Sequence, residues 1–472
     1  MGPMLKQLLG WSQGRIHRLW LLVVQSVAPN EKQKIFVLEV IAGALCGLAA
    51  VAFHISIRQL EAWLVNPAIA GLGSHPYFRI VLVPAIGALL AGLLIYFFFP
   101  GAAGSGIPKV KEAYLNDYGY VSFKNTIGKF IACTVQLGTG SSMGREGPTV
   151  MICAGIVNLI SRAAGLTKAV QRRMSAVGVA AGIAAAFNAP IAAVTFTMEE
   201  VVGDLDQTML SGVIVAAAVA AVVERVILGR HPVFHVTRMY ELEHLSDLPL
   251  YAALGGIAAI FSVLFTDSLL ELRKWFNSKS HLPAWFRPAI GGLVTGLLAL
   301  FALRWLGSGG VTGGGYEQLN QALEGNLPLK VMLALAVIKL AATVFSYSSG
   351  GAGGIFAPVL FMGAMLGGFI GNLSPHIMHN TDMQIGAFAL VGMGAMFAGV
   401  IRAPITSVLI IFEMTGSYGL ILPLMIANMI AFGIARHWRP TQVYEALLEQ
   451  DGIFLPHKGP KPQTGISTQL DG

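Results

Sequence analysis

The stretch Gly144-Arg145-Glu146-Gly147-Pro148 sets a charged pair between glycines, inside a span that is otherwise apolar from residue 130 to 160. An ionisable residue at membrane depth is expensive unless it lines a cavity or has a partner. The glycines let the backbone approach a ligand closely, and Pro148 suits the first turn of a helix. Backbone amides at that helix start would point at whatever lies before it, backed by the positive end of the helix dipole. Such a stretch can bind an anion without placing a fixed cation in the site. Read alone, it could equally be a polar loop between two spans.

The rest of the chain decides between these readings. Of 472 residues, 55% are hydrophobic and only 12% charged, against about 25% charged in soluble domains. Mean hydropathy is +0.67. These values, with repeated long apolar runs, predict an all-α polytopic membrane protein. The 56 glycines fit close helix packing and broken helices in lipid. Cys46, Cys133 and Cys153 all lie in apolar segments and read as buried small hydrophobes, neither disulfides nor metal ligands. The net charge of +7 is no nucleic-acid signal, because the basic residues fall in loops and tails. Arg162, Lys168, Arg172 and Arg173 share one loop, and Lys6, Arg15, Arg18, Lys32 and Lys34 lie near the N-terminus. By the positive-inside rule, that loop and both termini are expected on the cytoplasmic side.

In order, residues 1–34 form an N-terminal segment with an amphipathic helix near 5–27, and 35–228 hold a first group of apolar spans. Residues 229–247 form a polar linker, 248–437 a second group, and 438–472 a short helix and tail. The second group repeats the first. Pro84 to Leu94 matches Pro288 to Leu298 at 8 of 11 positions. Gly104-Ser105-Gly106 answers to Gly307-Ser308-Gly309, Gly144–Pro148 to Gly354–Pro358, and Ala189-Pro190 with Glu199 to Ala403-Pro404 with Glu413. The offsets are 204, 203, 210 and 214 residues, so order and spacing are kept. This is an internal duplication whose helices are interrupted at matching places, the pattern of transporters that bind substrate near the midplane. Whether the halves are parallel or inverted cannot be read from the repeat.

Three breaks form one constellation: Gly104-Ser105-Gly106-Ile107-Pro108, Gly144-Arg145-Glu146-Gly147-Pro148 and Gly354-Ile355-Phe356-Ala357-Pro358. Each ends in Pro at an expected helix start and so offers free amides and a positive dipole end. Tyr444, in the first turn after Pro440-Thr441, is a fourth candidate. With these motifs in this order, residues 35–450 closely resemble the CLC family of chloride channels and chloride/proton antiporters.

The resemblance implies two inverted halves of tilted, broken helices in a homodimer with one pore per subunit, and no enzyme activity or cofactor. The three motifs would form the selectivity filter. Hydroxyls of Ser105 and Tyr444 and amides of Ile355 and Phe356 would bind the central chloride. Glu146 would be the gating and outer proton-transfer glutamate, and Glu200 the inner one. A carboxylate at position 200 favours chloride/proton exchange over a passive chloride channel, which is the alternative. Ser105, where nitrate-preferring relatives carry Pro, favours chloride. The substrates would then be chloride and protons, and the setting a prokaryotic inner (plasma) membrane. The tail from Arg436 is too short for the paired regulatory domains of many eukaryotic relatives. Lys109, where relatives often have an acidic residue, leaves the charge balance near the inner mouth open.

Other residues have plainer readings. Glu199 and Glu413 hold equivalent repeat positions and are expected to be structural. Lys129, in an apolar segment, is either a snorkelling end residue or a buried positive charge. His376 and His379 follow Pro375 and read as a loop pair, not a metal site. An intramembrane serine hydrolase at Ser105 or at Ser141-Ser142 would need a histidine base at depth, for which His54 is the candidate, and no Gly-x-Ser-x-Gly accompanies it.

Overall fold

The computed structural model describes residues 30–71, 75–203, 207–229, 234, 240–242, 244–378, 384–416 and 418–455. The expected helix at residues 5–27, His379 and much of the 229–247 linker lie outside them. The chain enters α1 (Glu31–Leu64) and, after the short α2 (Asn66–Ile69), α3 (Pro76–Phe97). A glycine-rich break leads to α4 (Ile107–Asn116), α5 (Phe123–Gly138), α6 (Glu146–Ala163) and α7 (Lys168–Phe187). Next, α8 (Pro190–Phe196) runs into a π-helical turn, Thr197–Val202, before α9 (Gln207–Leu228). The second half comprises α10 (Leu248–Ser278), α11 (Arg287–Leu306), α12 (Tyr316–Leu323), α13 (Leu329–Ser348), α14 (Phe356–Met378) and α15 (Ile385–Ile401). It ends with α16 (Pro404–Thr415), α17 (Ile421–Trp438) and α18 (Val443–Gln450).

Among the described residues, eight helical stretches are long and apolar enough to cross a bilayer. The first helix begins before the expected start of the apolar group at residue 35: α1 runs Glu31–Leu64. The interruption expected at Asn188-Ala189-Pro190 is real. Asn188 is left-handed at φ 54 between α7 and α8, and Arg402 takes φ 68 at the same place before Ala403-Pro404. A proline at the next helix start prevents the preceding helix from continuing straight.

The duplication is visible as paired contacts. Glu199 accepts hydrogen bonds from the Ile405 and Thr406 amides (3.2 and 2.8 Å), at the start of α16. Glu413 accepts from the Ile191 and Ala192 amides (3.0 and 2.7 Å), at the start of α8. Each carboxylate caps the other half's helix, satisfying orphan amides at its positive end. That is the structural role the repeat implies.

The lysines pair in the same way. Lys129 on α5 is fully buried and its ammonium donates to the carbonyls of Ala102, Ala103 and Gly104. Lys339 on α13, also fully buried, donates to those of Gly310, Val311 and Gly313. Lys129 is therefore the buried charge and not a snorkelling end residue. One part of the sequence alignment is corrected by this pairing. Gly307-Ser308-Gly309 does not open a helix; Gly307, at φ 64, closes α11. The helix that answers α4 begins at Tyr316, after the loop that Lys339 grips.

Small residues allow the close packing. A Cβ on Gly363 of α14 would lie 2.3 Å from the Gly392 carbonyl of α15, and one on Gly392 would lie 2.2 Å from the Gly363 carbonyl. Only glycine admits backbones this near.

Candidate functional site

The three breaks meet at the centre of the molecule, stitched by backbone hydrogen bonds. Gly144 and Gly354 exchange a reciprocal pair at 2.7 Å each way. The Gly104 amide donates to Gly351 O (2.9 Å), and Gly353 donates to Gly104 O (3.1 Å). The starts of α4, α6 and α14 are thereby held together. Gly147 is needed for the approach: a Cβ there would fall 2.3 Å from Ser105 Oγ.

At this junction three polar atoms are buried with no hydrogen-bond partner: Ser105 Oγ, Tyr444 OH and Glu146 Oε2. Ser105 and Tyr444 come from opposite ends of the sequence and are brought within side-chain reach of each other. The Ser105 amide is satisfied by the Tyr347 hydroxyl at 3.3 Å, so its side chain is the free group. Glu146 is fully buried. A Cβ on Gly144 would lie 2.2 Å from Glu146 Oε2 and 3.1 Å from the Ala357 amide, so the carboxylate curls back toward the start of α14. There it faces the positive dipole end of that helix without a hydrogen bond to it. Phe356 is buried at the same start, its ring packed among those of Phe187, Phe196 and Phe397 at centroid distances of 5.0–5.9 Å. The structure thus brings together the Ser105, Tyr444, Glu146 and Ile355-Phe356 positions from all four segments.

The other oxygen of Glu146 has a partner that the sequence did not disclose. Tyr316, leading α12, donates its hydroxyl to Glu146 Oε1. The Tyr316 ring carries the Arg145 guanidinium 5.3 Å from its centroid. Arg145 in turn contacts His54, the candidate base for a serine hydrolase. The signal for Tyr316 was the run Gly313-Gly314-Gly315 before it, masked by the stronger match at Gly307–Gly309.

Two cavities flank the junction. One, of about 640 Å³, is lined by His54, Glu61, Arg145, Glu224 and Tyr316. The other, of about 550 Å³, is lined by Lys111, Glu200, Arg402, Arg436 and Glu445. Glu200 sits on the π turn, only 2% exposed, and accepts from Lys111 Nζ at 2.9 Å and Gln442 Nε2 at 3.3 Å. Glu200 thus lines the second cavity, while Glu146 is buried behind Gly144, Arg145 and Tyr316, which line the first. Lys109, the charge left open by the sequence, forms a half-buried, solvent-accessible pair with Glu112 at 3.3 Å; pairs that reach solvent contribute little. The buried charge on α4 is Lys111.

Fold and site together define the class: a multi-pass membrane protein of two inverted halves, whose broken helices meet between two cavities. The chain belongs to the CLC family, matching the family described as voltage gated chloride channel over residues 87–436. It is similar to the H(+)/Cl(-) exchange transporter ClcA of Vibrio parahaemolyticus, 31% identical over 428 residues, covering 88% of this chain and 89% of that protein. The ClcA of Vibrio campbellii is 32% identical over 422 residues, covering 87% and 88%. Among solved structures, a slow cyanobacterial Cl-/H+ antiporter superposes with TM-score 0.80 at 24% identity, covering 88% of this chain and 97% of that one. A CLC-type fluoride/proton antiporter gives 0.73 at 22%, covering 88% and 98%. At these identities the structural likeness speaks for the fold.

Proposed function

We propose that this protein exchanges chloride for protons across a bacterial inner membrane, as a homodimer with both termini cytoplasmic. The observation that carries the reading is the trio of buried, unpartnered atoms, Ser105 Oγ, Tyr444 OH and Glu146 Oε2. A buried polar group left unpaired costs about 1–3 kcal/mol, so the two hydroxyl donors at one junction point to an acceptor ligand that satisfies them, with the carboxylate oxygen of Glu146 beside it. Two hydroxyls facing the amide end of α14 suit an anion. The Glu146 carboxylate, aimed at that end, competes for the place when ionised.

The cycle follows from these placements. Ionised Glu146 occupies the anion position and is held by Tyr316. When it takes a proton from the Arg145-side cavity it loses its charge, yields the place to chloride and carries the proton inward. Glu200, at the opposite cavity, passes the proton on. Ser105 and Tyr444 hold the chloride in between, with the amides of Ile355 and Phe356. The names of the ClcA relatives support exchange, and the carboxylate at Glu200 supports it over a passive channel. The test is proton movement in reconstituted liposomes. Wild type should drive protons with a chloride gradient, and Glu146→Gln should pass chloride with no proton movement. Wild-type coupling in Glu146→Gln would overturn the assignment.

A further inference from the structure

Two lysines leave Pro108 on the same short helix and meet different fates. Lys109 is half-buried and paired with Glu112, whereas Lys111 is 6% exposed. Its ammonium donates to Glu200 Oε1 at 2.9 Å and to Glu445 Oε1 at 3.0 Å. Gln442 completes the cluster, donating to Glu445 at 2.9 Å and to Glu200 at 3.3 Å. One cation thus lies between two carboxylates, each from a different element.

Those elements matter. Lys111 is on α4, whose leading residues carry Ser105; Glu200 is on the π turn; Glu445 is on α18, next to Tyr444. The clamp therefore joins the two backbones that present these hydroxyls to the proton-bearing turn. The other charges at this cavity are committed elsewhere or peripheral. Glu199 caps α16, and Arg402 donates to the carbonyls of Gly399, Ala435 and Arg439. Arg436 and Glu449 line the wall.

We propose that Lys111 is a positioning residue that ties the charge of Glu200 to the closure of Ser105 and Tyr444 over the anion. This rests on the roles given to those three residues above. With Glu200 ionised, the ammonium is attracted by both carboxylates and draws α4, the π turn and α18 together. When a proton from the cavity bonds to Glu200, that charge is cancelled and Glu445 alone holds the ammonium. The tie between α4 and the π turn weakens, and the gap between Ser105 and Tyr444 can widen on that side. Proton arrival and chloride passage are thereby linked through one side chain.

The experiment compares Lys111→Met with the conservative Lys111→Arg, in purified full-length protein and in liposomes. In Lys111→Met, protons moved per chloride should fall and the chloride Kd should weaken, each by about fivefold or more, the scale of a coupling between sites. Lys111→Arg should keep both near wild type. In a Glu200→Gln background, where only the Glu445 arm is left, adding Lys111→Met should shift the chloride Kd clearly less than it does in wild type. Wild-type ratio and Kd in Lys111→Met, or equal Kd shifts in both backgrounds, would overturn the proposal. If Lys111→Met does not fold, Glu445→Gln cuts the α18 arm alone and should move both readouts the same way; no shift there also overturns it. Should wild type move chloride with no protons, the exchange reading fails, and the chloride Kd comparison still decides the clamp.

Discussion

Removing the Tyr444 hydroxyl tests the anion site with little change of shape. Tyr444 is fully buried, so Tyr444→Phe keeps the ring in place, opens no cavity and deletes one donor atom. Hydrogen bonds to charged groups contribute about 1.5–3 kcal/mol. At about 1.4 kcal/mol per factor of ten, chloride binding should weaken between roughly tenfold and a hundredfold. The hydroxyl has no hydrogen-bond partner within the protein, so its deletion strands no other group and the lost affinity reports on the anion contact alone. Ser105→Ala removes the other donor and should weaken binding on the same scale. The assay is calorimetric titration of purified protein with chloride, with the oligomeric state followed by size-exclusion chromatography. Affinities within about twofold of wild type in both variants, well under 1 kcal/mol, would show that these hydroxyls do not hold the anion.

The remaining expectations follow from single contacts. Tyr316→Phe deletes the hydroxyl that Glu146 accepts, so the carboxylate leaves the anion position more readily and chloride turnover in liposomes should rise several-fold; an unchanged rate would count against the latch. Glu200→Gln should leave chloride transport measurable and abolish proton movement against a gradient, and pumping that survives would move the inner acceptor elsewhere. Glu199→Gln loses a charged cap that accepts two α16 amides and the Thr406 hydroxyl at 2.6 Å. It should lower thermal stability by about 1 kcal/mol and keep coupling, and a loss of coupling would reverse the roles of the two glutamates. Lys129→Met strands three carbonyls that the ammonium now holds. It should lower the melting temperature and weaken chloride binding, because those carbonyls belong to the loop that presents Ser105.

Much of this architecture was legible because lipid makes patterns strict. Glycine and proline inside apolar runs marked the breaks, and the repeat confirmed them in pairs: Asn188 with Arg402, Glu199 with Glu413. The repeat also located the starts of α6 and α14 correctly, since Gly144 and Gly354 match in both sequence and contact. It slipped at Gly307-Ser308-Gly309, where three identical residues outweighed the true counterpart, the loop leading into Tyr316. Low-complexity apolar sequence gives little to correct such a shift. Contacts between distant segments were harder still. Nothing local marks Lys111 as buried and Lys109, two residues earlier, as only half-buried. Their fates are set by Glu200 and Glu445, which only the folded chain brings to α4. Tyr347 satisfying the Ser105 amide is of the same kind.

The central claim is that chloride and protons share a path gated by Glu146, and its most direct measurement is proton flux under a chloride gradient. Liposomes holding the wild-type protein and high internal chloride are diluted into low chloride with membrane potential clamped, and external pH is recorded. Outward chloride should drive proton uptake against a proton gradient, and the uptake should vanish in Glu146→Gln while chloride efflux continues. Chloride efflux from wild-type liposomes with no accompanying proton uptake would contradict the account.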